Sequence, residues 1–120
     1  MGLDTFASRS PDDIELNPED IQAFNEADIY LCGGIISGGG GSFRGKIYSL
    51  LILEITGESL HQEWITPETV QAMYTALADC DPQQVIDKSD TWDRTTGEIL
   101  ELCKFFGVCA DRGLGLINWW

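Results

Sequence analysis

The chain has 120 residues, 43% of them apolar, which suits one domain with one hydrophobic core and is too apolar for a disordered acidic tail. Seven Lys and Arg stand against twenty Asp and Glu, a formal charge of -13. A field of that sign repels phosphate backbones and anionic lipid, so direct nucleic-acid binding and membrane binding are the first functions excluded, and basic partners are favoured.

In chain order, Thr5 to Asp13 reads as an irregular or short extended opening. Asn17-Pro18-Glu19-Asp20 then predicts a helix start: Asn17 caps, Pro18 takes the first helical position, and the two acids complement the dipole. Ile21 and Phe24 supply its apolar face, and it should end near Ala27. The run Ile29 to Cys32, stopped by Gly33-Gly34, fits either a buried strand or an extended loop. A glycine-rich segment follows, and residues 43–56 predict a long helix stopped by Gly57. Its apolar residues Phe43, Ile47, Leu50, Leu51 and Ile55 keep helical spacing, widened by Ile52 and Leu53, as in a central helix covered on most sides.

Thr66-Pro67-Glu68-Thr69 gives the strongest helix start in the chain, followed by Val70, Met73, Tyr74 and Leu77 at i, i+3, i+4 and i+7. Asp81-Pro82 should end that helix, and residues 83–94 predict a short helical turn and a loop. Thr95 or Thr96 then caps a last helix with Ile99, Leu102, Cys103 and Phe106 facing inward. Gly107 is a candidate end or kink, and Gly113 lies beyond. The tail Leu114-Gly115-Leu116-Ile117-Asn118-Trp119-Trp120 is too apolar to float free and should pack on the core as an extended segment.

The sharpest motif is Gly40 to Lys46, which matches the GxxxxGK of a phosphate-binding loop. Backbone N–H groups of such a loop cradle phosphate while the lysine reaches further oxygens. Here Ile47 replaces the magnesium-binding Ser or Thr, no separate strand ends in a metal-binding Asp, and the chain is short for a parallel sheet with crossover helices. The weaker form is an anion site of Gly40, Gly41, Ser42, Arg44 and Lys46. Two cations in a helix's first turn oppose a dipole already positive by about half an elementary charge, so either an anion or nearby carboxylates should neutralise them.

His61, beside Glu63, and Cys32, at the glycine loop, are possible accessories to that site. One histidine without a second ligand at turn or helical spacing does not make a zinc site, and the acidic clusters lack calcium-loop spacing, so no metal and no cofactor is expected. Cys32, Cys80, Cys103 and Cys109 form no CxxC pair and read as buried free thiols. Trp119-Trp120, with Trp64 and Trp92, could serve either the core or an aromatic contact surface, and an exposed tail would favour a partner or homodimer interface.

The opening Met1-Gly2-Leu3-Asp4-Thr5-Phe6-Ala7-Ser8, the block Gly41-Ser42-Phe43-Arg44-Gly45-Lys46 and the segment from Ile55-Thr56-Gly57 to Glu63-Trp64-Ile65 resemble a family of small uncharacterised bacterial and phage proteins. The resemblance covers about the first two thirds of a domain this small. It implies no activity, but it marks the glycine loop and the Ser42–Lys46 block as one unit.

The sequence thus predicts a helix-dominated α+β domain over residues 1–120, with three or four helices and a few short strands around a single core. The leading functional reading is a non-enzymatic cytoplasmic interaction or regulatory protein, with no catalytic residue, whose acidic surface engages a basic protein. A phage-type inhibitor imitating nucleic acid is one version. The second reading is a small enzyme or anion- or nucleotide-binding protein built on the Gly-rich loop 38–46. Neither a basic segment nor an apolar run of signal-peptide length opens the chain, which underlies the cytoplasmic expectation.

Overall fold

A computed structural model of the chain describes residues 3–12, 16–27, 29, 41–81, 83–84 and 96–119. Helix α1 (Pro18–Glu26) starts where its caps demand. Asn17 Oδ1 accepts from the Asp20 N–H at 2.8 Å, and Asp20 Oδ2 accepts from the Asn17 N–H at 3.1 Å, a reciprocal capping box. Strand β1 (Asp4–Ser8) occupies the first part of the stretch expected to be irregular or briefly extended. Strand β2 (Ser42–Phe43) pairs with β1, so helix α2 (Gly45–Thr56) begins two residues later than its hydrophobic spacing predicts. Gly57, at φ +77°, ends α2 in the left-handed conformation that glycine adopts without steric cost.

Strand β3 (Trp64–Ile65) leads into helix α3 (Pro67–Asp79), where Thr66 Oγ1 accepts from the Thr69 N–H at 3.3 Å. Val70, Met73 and Leu77 of α3 are buried and Tyr74 is half-buried, as the spacing predicts. Helix α4 (Thr96–Arg112) continues through Gly107 instead of ending there. The missing side chain at Gly107 admits the Tyr74 ring: a Cβ there would lie 3.0 Å from Tyr74 Cε1. The expected extended tail is strand β4 (Gly115–Trp119). The segments predicted at residues 30–32 and 85–94 lie outside the described residues, whereas Gln83 and Gln84 are helical.

The described residues thus form four longer helices and one antiparallel four-stranded sheet of order β2-β1-β4-β3, a helix-dominated α+β fold. Strands from opposite ends of the chain pair at its centre, with Thr5 opposite Asn118 and Phe6 opposite Ile117. Thr5, Ala7, Phe43, Ile65, Leu116 and Asn118 are all buried on one face. Above them lies an aromatic cluster joining α1, β2, α2 and α4, with ring centroids 5.0 Å apart for Phe24–Phe105 and 4.8 Å for Phe43–Phe105. Tyr48, Leu51 and Ile52 of α2 join this core, but Leu50 is 69% exposed and Leu53 is also exposed. Alpha-helix α2 is therefore covered along one stripe and not on most sides.

Gly115 is where β4 comes closest to β3. A Cβ there would stand 2.5 Å from the Ile65 carbonyl oxygen and strike the Trp64 indole, and the backbone contact cannot be relieved by a rotamer change. Gly115→Ala should therefore cost about 1–3 kcal/mol, as overpacking does. Urea denaturation checks this, and an unchanged midpoint would show that β3 and β4 can separate freely.

Candidate functional site

The residues of the predicted anion loop take different roles. Gly41, at φ +87°, is buried against Leu16 and Phe24. Ser42 is part of β2, pairing across from Phe6. Arg44 precedes the first turn of α2 and lies half-buried with its Nε 3.3 Å from Asp4 Oδ1, a charge contact without an aligned hydrogen bond. One of the two cations facing the electropositive end of α2 is thus met by a carboxylate of the same chain. The Lys46 side chain is exposed, while its backbone N–H donates to the Leu3 carbonyl at 2.9 Å, fastening the helix start to the residue before β1. Gly40 and Cys32 lie outside the described residues.

His61 is exposed, with its N–H donating to Ser59 Oγ at 3.0 Å. Among the described residues no group of three or more His, Cys, Asp and Glu is placed to hold a metal ion. Cys80, Cys103 and Cys109 are free thiols, but only Cys109 is fully buried, whereas all were expected to be. Burial raises all three above the usual thiol range, and at Cys80 the neighbouring Cys103 and Asp81 add to the rise. None is tuned toward the thiolate that nucleophilic chemistry needs.

The second face of the sheet is aromatic. Strand alternation puts Phe6, Trp64, Ile117 and Trp119 on the side opposite the Thr5–Asn118 pair. The Phe6 and Trp119 rings meet with centroids 5.0 Å apart, Trp64 lies over Gly115, and Trp119 is 55% exposed. Exposure of the tail tryptophan decides against pure core packing at this position. Trp92 and Trp120 lie outside the described residues. Beside Trp119 is an open cavity of about 460 Å³, lined among the described residues by Pro11, Glu63, Ile117, Asn118 and Trp119.

Glu63 is held there by β4. Asn118 N–H donates to the Glu63 carbonyl at 3.2 Å, and Asn118 Nδ2 donates to the Gln62 carbonyl at 3.0 Å. Thr5 Oγ1 in turn donates to Asn118 Oδ1 at 2.7 Å, so this buried amide is satisfied on both sides. Nothing local in the sequence signals this bridge, because Thr5 and Asn118 are 113 residues apart.

A second cluster that sequence reasoning missed stabilises the same sheet. Asp20 has no exposed surface, yet its carboxylate accepts Arg9 Nε and Nη2, each at 2.6 Å, and Arg112 Nε at 2.5 Å. The Arg9 hydrogen bonds, reinforced by Arg112 and the Asn17 N–H, hold the Asp20 carboxyl well below the usual carboxylate range against the opposing effect of burial. From the sequence Asp20 is only a helix-start acid. The capping spacing was visible, but the partner at position 112 was not.

A depressed carboxyl contributes stability that is present above its unfolded value, near 3.8, and is lost as pH falls through the folded one. Asp20→Asn should cost about 2–3 kcal/mol at neutral pH, less than breaking a fully buried pair because both arginines reach water. The gap between variant and wild type should narrow below about pH 4, by up to about 1.4 kcal/mol per pH unit. Urea midpoints at a series of pH values measure it; a gap independent of pH would remove the charge from the account.

No helix among the described residues is long and apolar enough to cross a membrane. Comparison with protein-family models, with curated proteins and with solved structures finds no match for the chain, so function has to be read from its own geometry.

Proposed function

We propose that the protein is a non-enzymatic interaction protein whose acidic exterior engages a basic protein partner in the cytoplasm. One observation carries this reading: the distribution of charge between interior contacts and surface. Among the described residues nine carboxylates are exposed (Asp12, Glu19, Glu26, Glu54, Glu63, Glu68, Asp79, Asp81 and Asp111) against three exposed cations, Arg9, Lys46 and Lys104. Arg9 is committed to Asp20, and Lys104 to Glu101 at 2.8 Å. Arg44 and Arg112, less exposed, face Asp4 and Asp20. Four of the seven cations therefore face the chain's own acids, and among the described residues exposed carboxylates outnumber exposed cations.

Such a surface attracts a basic protein over a range set by ionic strength and repels nucleic acid. Binding of a fluorescein-labelled oligolysine of about twelve residues should be readily measured by anisotropy at about 50 mM salt and fall several-fold by about 300 mM. A labelled DNA duplex should not bind at either concentration. Absence of oligolysine binding at the lower salt would overturn the reading, and thermal stabilisation by phosphate or nucleotides would favour an anion site at Ser42, Arg44 and Lys46 instead.

A further inference from the structure

The cavity beside Trp119 has a chemistry that diffuse acidity does not supply. Its lining combines the exposed Trp119, the aliphatic Ile117 and Pro11, and the acid Glu63, which is exposed. No cation is among the lining residues described. Asp4, opposite Trp119 in the β1–β4 register, is already matched by Arg44, and Glu63 is the acid among the lining residues described.

We propose that this cavity receives a lysine or arginine side chain from a basic protein segment. The stem of that side chain lies along Ile117 and Pro11, and its charged head rests on the Trp119 indole, with Glu63 the acid among the lining residues. The assignment rests on the acidic-surface reading above and gives it a point of contact. Lysine and arginine have the required form, an apolar stem carrying a cationic head. The negative face of an indole attracts such a head, most strongly when water is partly excluded. The cavity volume of about 460 Å³ exceeds a single side chain and admits the adjoining backbone, as a peptide ligand needs.

Charge decides against the other occupants. An anion would meet Glu63 without a compensating cation among the lining residues, and a second copy would bring another -13 to the same surface. The Phe6 ring contacts the Trp119 indole while the residue stays 55% exposed, a contact that restrains the indole before binding.

The test uses the full chain and the labelled oligolysine. Trp119→Leu, which keeps apolar bulk but removes the ring, should weaken binding about five- to thirtyfold, and Trp119→Phe should fall between Leu and wild type. Glu63→Gln should weaken it about three- to tenfold, and Glu54→Gln, an equal charge change on the exposed side of α2, by less than about twofold. Glu63 is exposed, so its variant reports even if changes at Trp119 disturb folding. Equal effects of Glu63→Gln and Glu54→Gln, or a Trp119 series that leaves affinity unchanged, would overturn the cavity while leaving the acidic-surface reading standing. Failure of the wild-type chain to bind oligolysine would overturn both. A wild-type dimer that Trp119→Leu converts to monomer would assign the cavity to a second copy and overturn the proposal as well.

Discussion

Asp20 is a carboxylate carried wholly out of water, and the surrounding fold is arranged so that it is never alone there. Moving such a charge inside costs several kcal/mol unless partners replace its hydration. Arg9 supplies two parallel hydrogen bonds, Arg112 a third, and the Asn17 N–H a fourth. Those partners come from the residue after β1, the last turn of α4 and the cap of α1. Asp20 complements the start of α1 and Arg112 the end of α4, so one cluster answers two helix dipoles. It also sits where β1 ends and β4 is about to begin, at the end of the sheet where Ser8 pairs with Gly115. The central strand pair is thereby fixed at a point that hydrophobic burial alone would leave free to slide.

The internal use of cations has a consequence for the exterior. Pairing leaves the net charge of -13 unchanged but decides where the few cations stand. In a chain with seven cations, the pairs at Asp20, Asp4 and Glu101 absorb most of the available positive charge. The residues that hold the fold are therefore placed by acids of the chain, and among the described residues exposed carboxylates outnumber exposed cations nine to three.

Where structure is made by neighbours in sequence, it was legible. Asn17-Pro18 and Thr66-Pro67 each join a side-chain cap to a preset φ, and Gly57 marks a helix end by its tolerance of the left-handed region, so α1, α3 and the close of α2 fall where expected. The sheet was less legible for a physical reason. Strands β2 and β3 have two residues each, too short to show an alternating period, and the partners of β1 and β4 are more than a hundred residues apart. Phe43 illustrates the ambiguity: it falls in phase with the apolar stripe of α2 yet belongs to a strand, because pairing with Thr5 buries it equally well. Leu50 and Leu53 show the reverse, since apolar spacing cannot say which side of a helix has a neighbour.

The candidate site was legible only in pieces, as terminal tryptophans and as scattered acids, and what assembles them is the register of β4. Residues along a strand alternate between faces, so a shift by one would turn Trp119 toward the helices and Asn118 outward. Hydrophobicity discriminates weakly between those alternatives, because Leu116, Ile117 and Trp119 are all apolar. The buried amide discriminates strongly. Asn118 finds Thr5 Oγ1 as donor and the Gln62 carbonyl as acceptor in this register, and an unsatisfied amide inside would cost about 1–3 kcal/mol. The polar residue in the middle of an apolar tail is thus the one that orients it, fixing Trp119 on the outer face with Glu63 beside the same cavity.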